Sequence, residues 1–165
     1  MRLRLATICL ILTPFLAQCA GGGLGSLGGI LGGGAPAHRV STNMGGARSA
    51  AGLVSQYRTA NGLSPVVADA TLSRAAEVQA RAIAQAGSLS HGAFASRMAS
   101  FGINGTSAEN LVAGSRTVDQ AITRWKASPG HNQNLLMPEA RRISIAYASS
   151  PGEGYEHYWV LVLAQ

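Results

Sequence analysis

Residues 141–165 read RRISIAYASSPGEGYEHYWVLVLAQ, and their period decides the fold. Ile143, Ile145 and Tyr147 alternate with Ser144, Ala146 and Ala148, which is the two-residue repeat of a strand. Ser149 to Gly154 is a turn cluster with Pro151 and two glycines. Tyr155 to Leu163 then predicts a second strand, with Trp159, Leu161 and Leu163 on one side and Tyr158, Val160 and Val162 on the other. Both sides are apolar. A sheet with one wet face would carry polar residues at every second position, so this hairpin predicts a sheet covered on both faces.

Upstream of Pro138 the period is helical. Ala50, Leu53, Val54, Tyr57 and Ala60 share one face, and Asn61-Gly62 marks its end. Asp69 is placed to cap a second helix whose stripe is Leu72, Ala75, Ala76, Gln79 and Ile83, with Gly87 as its stop. Phe94, Met98 and Phe101 predict a short third helix ending at Gly102. Thr117-Val118-Asp119-Gln120 has the capping-box form, followed by Ala121, Ile122 and Trp125 at core spacing from Val118. Pro129 disfavours a helical residue before it, so this helix is expected to stop near Ser128, with SPGHNQNLL (128–136) as a loop. Helices followed by an antiparallel hairpin predict an α+β domain over residues 42–165.

The N-terminus has other uses. Basic MRLR and apolar LATICLILTPFLA have the make-up of an export signal, too short for a comfortable membrane span. LAQC ends at Cys19 and resembles a bacterial lipobox, although Gln18 stands where that pattern wants a small residue. Residues 1–19 are therefore read as a signal peptide with lipidation at Cys19, anchoring the protein to a membrane in the periplasm or at the cell surface; ordinary cleavage would leave it secreted. Residues 20–41 are Gly-rich and read as a flexible tether. Gly23, Gly25 and Gly28 fit G-x-G-x-x-G there, but without the strand and helix that give this motif its dinucleotide chemistry. The only cysteines are Cys9 and Cys19, so the domain holds together by its core without disulfides. Net charge is +6, or +4 without Arg2 and Arg4, and the basic residues are scattered, so no nucleic-acid partner is expected.

Three chemical residues fall beside turn signals rather than in helical stripes: His91 in LSHG, Glu109 in SAENL and His131 in SPGHN. United by the fold, they suit a divalent ion such as zinc or a general acid–base pair. Spacing alone favours the plainer reading, in which each is a hydrogen-bonded loop residue. There is no G-x-S-x-G elbow and no H-E-x-x-H motif. His38 and His157 are read as structural or solvated.

LSH at 89–91, AENL at 108–111, Trp125 with SPGH at 128–131, NLL at 134–136 and Tyr158-Trp159 together resemble the CAP superfamily, over a stretch from about residue 48 to the C-terminus. That family includes cysteine-rich secretory proteins, group-one plant pathogenesis-related proteins, venom allergens and bacterial SCP-like extracellular proteins. The resemblance implies a three-layer α-β-α sandwich around a small antiparallel sheet, with a further strand around Leu111–Ala113. It also implies a cavity lined by two histidines and two acidic residues. His91, Glu109 and His131 match three of these, and Ser128 holds the fourth position. On this reading Asn110 and Asn132 belong to the cavity, and His91 and His131 are the metal positions. The carboxylate is expected to favour the charged form of both imidazoles. The implied role is non-enzymatic binding of a lipid, an envelope glycan or a protein partner. A metal-assisted envelope hydrolase and a purely structural envelope module are the alternatives.

Overall fold

The computed structural model describes residues 39–41, 44–152 and 154–165. The expected signal segment, Cys19, His38 and most of the expected tether lie outside the described residues. In chain order the elements are β1 (Arg39–Ser41), α1 (Met44–Ala60), β2 (Val67–Ala68), α2 (Ala70–Ala86), α3 (Phe94–Ser100), β3 (Ser107–Ala113), α4 (Val118–Ala127), α5 (Pro129–Leu135), β4 (Arg142–Ser149) and β5 (His157–Ala164).

The sheet runs β1-β4-β5-β3 with antiparallel neighbours throughout. The two-residue β2 pairs with β4 in parallel, so the sheet is mixed rather than purely antiparallel. β1 takes in three residues that the sequence reading placed in the tether. The central hairpin pairs Ile145 with Leu161 and Ala146 with Val160. β5 begins at His157 rather than Tyr155, because the turn extends further than its Pro-Gly core suggests.

Both sheet faces are covered, as the hairpin's alternation requires. On one face Tyr158, Val160 and Val162 pack with Leu72, Ala76, Ala80 and Ile83 of α2 and Met98 of α3. On the other, Leu161, Leu163, Ile143 and Ile145 pack with Val54 of α1, Ile122 and Trp125 of α4 and Leu135 of α5. The result is a three-layer α-β-α sandwich. Alanines dominate the sheet-facing side of α2, which lets that helix lie close to the strands.

The helix ends follow local chemistry. Asp69 Oδ1 accepts from the Leu72 amide at 2.8 Å, and Gly87 closes α2 in the left-handed conformation at φ 63°. Thr117 Oγ1 accepts from the Gln120 amide at 3.2 Å, while Gln120 Oε1 reaches back to the Arg116 amide at 2.8 Å, one residue earlier than a reciprocal capping box would.

One reading of the sequence is corrected. Residues 129–135 are a helix, not a loop. Ser128 is extended (φ −100°, ψ 119°), so it ends α4 and begins α5. Proline disfavours a helical residue before it, yet it suits the first position of a helix, where its missing N–H is no loss. Pro129 does both.

Arg58 fastens α5 from beneath. It is fully buried. Its Nη1 donates to the carbonyls of Leu135 (2.8 Å) and Met137 (2.9 Å), Nη2 to Ala140 (3.2 Å) and Nε to Ser64 (2.9 Å). No salt bridge to Arg58 is found among the described residues; carbonyl dipoles, two of them at the C-terminal end of α5, hold it. Burial, and secondarily the charge of Arg141, lower its pKa from the ordinary arginine value.

Candidate functional site

The site is organised by two consecutive residues of β3. Successive side chains of a strand point to opposite faces, so Glu109 and Asn110 work on opposite sides of the sheet. Each fixes one of the two histidine segments.

On the α2–α3 side, Glu109 Oε1 meets His91 Nδ1 at 2.9 Å, and its Oε2 is paired with Arg97 of α3. The Glu109 side chain is 1% exposed and that of Arg97 9%, so this is a buried ion pair. Arg97 Nη1 also donates to Gln79 Oε1 and, at 3.3 Å, to the His91 carbonyl. Gln79 Nε2 donates to the Ser90 carbonyl. The loop carrying His91 is thus tied to α2, α3 and β3 at once. His91 itself is 55% exposed, with Nδ1 committed to the carboxylate and Nε2 on the open side of the ring.

On the opposite side, Asn110 is fully buried and its Nδ2 donates to the His131 carbonyl at 3.0 Å. Asn134 Nδ2 donates to Asn110 Oδ1 at 2.9 Å. Asn132 Oδ1 accepts from the Tyr57 hydroxyl at 2.8 Å. Asn110 and Asn132 are therefore fasteners of α5 and do not line the cleft. This short helix is held at its first turn by Asn110, which donates to the His131 carbonyl, and at its last by Arg58, which donates to the Leu135 carbonyl that a helix end leaves exposed.

Between the two sides, along the β3 edge, lies a cleft of about 260 Å³. Ser128 and His131 line it together with Leu89, Trp125, Arg124 and Tyr155. Ser128 makes no capping bond with its hydroxyl. His91 stands at the margin rather than on the lining, but it is close enough for its charge to act on His131.

The free edge of β3 is capped. The outward carbonyls of Glu109, Leu111 and Ala113 accept from Asn134 Nδ2 (3.4 Å), Trp125 Nε1 (3.1 Å) and Arg124 Nη1 (2.6 Å). Such capping blocks strand-to-strand pairing with another chain. It also explains why Trp125, a core anchor by its spacing, is placed beside the cleft.

The electrostatics differ from the sequence expectation in one respect. Burial lowers the pKa of His131 from its ordinary 6.5, and the neighbouring His91 lowers it further. The carboxylate does not raise it, because Glu109 faces the other way and is balanced by Arg97. A neutral imidazole is the ligating form. A metal would find His131 neutral and His91 oriented by a carboxylate on its other nitrogen, an arrangement common around metal-bound histidines. Glu109 is not available as a third ligand, since both its oxygens are engaged. No group of three or more His, Cys, Asp or Glu able to hold an ion occurs among the described residues. His91 and His131 are the two imidazoles that would be left to hold an ion, and a site of two imidazoles completed by solvent would be labile.

Arg97, Gln79 and Arg58 were not read as site residues from the sequence. A signal was present: each interrupts an apolar helical stripe, Arg97 lying between Phe94 and Phe101, Gln79 between Ala76 and Ile83, and Arg58 one turn after Val54. A charged or amide side chain on a core-facing stripe requires buried partners.

A family model described as CAP, the cysteine-rich secretory protein family, matches residues 51–163. The uncharacterized protein YkwD of Bacillus subtilis (strain 168) is 31% identical over 104 residues, which cover 59% of this chain and 40% of that protein. The match thus spans less than half the length of this relative. An outer surface protein of Borrelia burgdorferi superposes with a TM-score of 0.61 at 18% identity, over 69% of this chain and 87% of that one. An extracellular protein containing a SCP domain from Bacillus anthracis str. Ames gives 0.64 at 17% identity, over 74% and 41%. At these identities the likeness concerns the fold.

Proposed function

The chain belongs to the CAP family of cysteine-rich secretory proteins, and from that premise we propose that it is an exported binding module, anchored through a lipid on Cys19, whose cleft beside His131 holds a ligand of the cell envelope. Extracellular and outer-surface proteins among its structural neighbours support export. One observation carries the choice of binding over catalysis: both oxygens of Glu109 are engaged, by His91 and by Arg97. A hydrolytic base must reach its water or nucleophile with a lone pair to spare. Here the carboxylate holds a histidine in place instead, while the adjoining cleft keeps Ser128, Arg124 and Tyr155 against an apolar wall. Polar groups converging beside apolar side chains in one concave recess suit a ligand site. A divalent ion at His91 and His131 would supply a Lewis-acidic contact for an oxygen of the ligand.

The test is native mass spectrometry of the protein purified from envelopes, paired with zinc titration and turnover of peptides and esters. A small-molecule adduct that disappears in Ser128→Trp, which fills the cleft from its rim, is expected. Zinc-dependent turnover lost in both His91→Ala and His131→Ala would overturn the binding reading in favour of a hydrolase.

A further inference from the structure

We propose that the cleft beside His131 takes a carboxylate carried on a small apolar group. This rests on the binding reading above and names the class of ligand.

The argument begins with the backbone. The Gly114 amide donates to the His157 carbonyl at 2.8 Å, and Gln165 donates to Thr106 at 3.0 Å. In an antiparallel pair the bonded positions alternate, so the even-numbered residues of β3 bond β5 and the odd-numbered ones point outward. Leu111 and Ala113, on the lining of the cleft, therefore turn both N–H and C=O towards the free edge. Their carbonyls are consumed by Trp125 and Arg124, and no side chain among the described residues accepts from their N–H groups.

The cleft is consequently rich in donors, while its possible acceptors are neutral hydroxyls and an imidazole rather than an anion. It offers the Leu111 and Ala113 amides, the remaining N–H groups of Arg124, the Ser128 hydroxyl and the His131 ring. No described lining residue carries a carboxylate. Glu109, behind the strand, is buried and neutralised by Arg97. Asp119 lies in the adjoining recess with Gly114, Ser115 and Thr123, which shares Arg124 with the cleft. An anionic acceptor matches this set.

Arg124 is the counter-charge. Its bond to the Ala113 carbonyl at 2.6 Å fixes the guanidinium beside the amide of the same residue. That leaves the rest of the fork to meet a carboxylate together with the Ala113 N–H. Leu89, Val112 and Trp125 supply the apolar wall. A volume near 260 Å³ lies below the usual range for drug-sized ligands, roughly 300–1,000 Å³, so the apolar group is small.

Two sources carry this chemistry, a short peptide with a free C-terminus and a short fatty acid. The Leu111 N–H, roughly 7 Å along the strand from that of Ala113, separates them. A peptide has a carbonyl to offer it, and a fatty acid does not.

The experiment titrates the isotope-labelled full-length protein with N-acetyl-alanyl-alanine, with hexanoate, and with the neutral amide of each. Amide NMR signals of Leu111 and Ala113 report binding. Both acids are expected to shift Ala113, and only the peptide to shift Leu111 if the peptide is the natural class. The neutral amides, and the Arg124→Gln variant with either acid, are expected to bind at least about tenfold more weakly, as loss of a charge-assisted pair implies. Affinity for hexanoate should fall as sodium chloride is raised. Arg124 is exposed, so the variant is expected to keep the near-ultraviolet circular dichroism of the parent. Equal affinity for acid and amide, an unchanged Arg124→Gln, or no shift at these two amides would overturn the proposal. If the amides bind the cleft as well as the acids, the binding reading stands and only the carboxylate assignment falls. If nothing binds and no ligand co-purifies, both fall.

Discussion

Arg97→Met isolates the buried pair that positions His91. The change keeps most of the aliphatic stem and its packing, and removes the charge. It leaves the Glu109 carboxylate, 1% exposed, with His91 Nδ1 as its remaining partner, and it removes the donors to Gln79 and to the His91 carbonyl. Breaking one side of a buried ion pair typically costs about 3–5 kcal/mol, because the surviving charge is stranded in a poorly solvating site. The total stability of a domain is about 5–15 kcal/mol, so this is a large share of it. Glu109→Gln is expected to cost less, about 2 kcal/mol, because Arg97 at 9% exposure can turn its head partly into water. The double variant has no charge left to strand. Its destabilisation should fall short of the sum of the singles by at least about 2 kcal/mol. Urea unfolding followed by the fluorescence of Trp125 and Trp159 measures all four species. With a urea slope of about 1–3 kcal/mol per molar, Arg97→Met should lower the midpoint by roughly 2 M. A coupling energy below about 0.5 kcal/mol would refute the reasoning, since it would mean the two groups are not a desolvated pair.

Three further outcomes follow from the same geometry. Arg58→Met should destabilise by about 2–4 kcal/mol, because the Ser64 and Leu135 carbonyls lose their guanidinium partner, whereas Met137 and Ala140 keep another donor each; hydrogen exchange should quicken across α5 before it does across β5. His131 has a native pKa below its ordinary 6.5, so the unfolded chain binds the proton more readily; stability from this residue is intact above pH 6.5 and is lost as pH falls from there through the lowered native value, and His131→Asn should remove that part of the slope in urea midpoints measured against pH. Intact-mass measurement of the mature N-terminus should find it at Cys19 with attached acyl chains, and a Cys19→Ser variant should leave the membrane fraction.

The hairpin was legible because its chemistry is local. Alternation in ISIAYA and YWVLVL follows from the strand period, and apolar residues on both faces required two covering layers, which α2 and α4 supply. The Asp69, Gly87 and Thr117 helix signals acted as their side chains and backbone preferences dictate. β3 was different. A strand was expected there only around Leu111–Ala113 and only through a family likeness, whereas it begins at Ser107; SAENLVA places Glu109 and Asn110 in mid-strand, and polar residues there hide the period. α5 was hidden by Pro129-Gly130, which reads as a turn; the helix persists because Arg58 and Asn110, far away in sequence, hold its two ends.

The amino-acid order by itself determined the class of fold and the covering of both sheet faces, because periodicity and capping act within a few residues; His91, Glu109 and His131 were singled out through the family likeness, not by spacing. Only the tertiary structure decided what those residues do. Whether Glu109 is a ligand, a base or a brace depends on Arg97, 12 residues earlier, and on the burial that makes their pairing obligatory. Whether His131 carries a charge depends on its depth and on His91. Desolvation and pairing are properties of neighbours in space, and a linear chain does not contain them until it has folded.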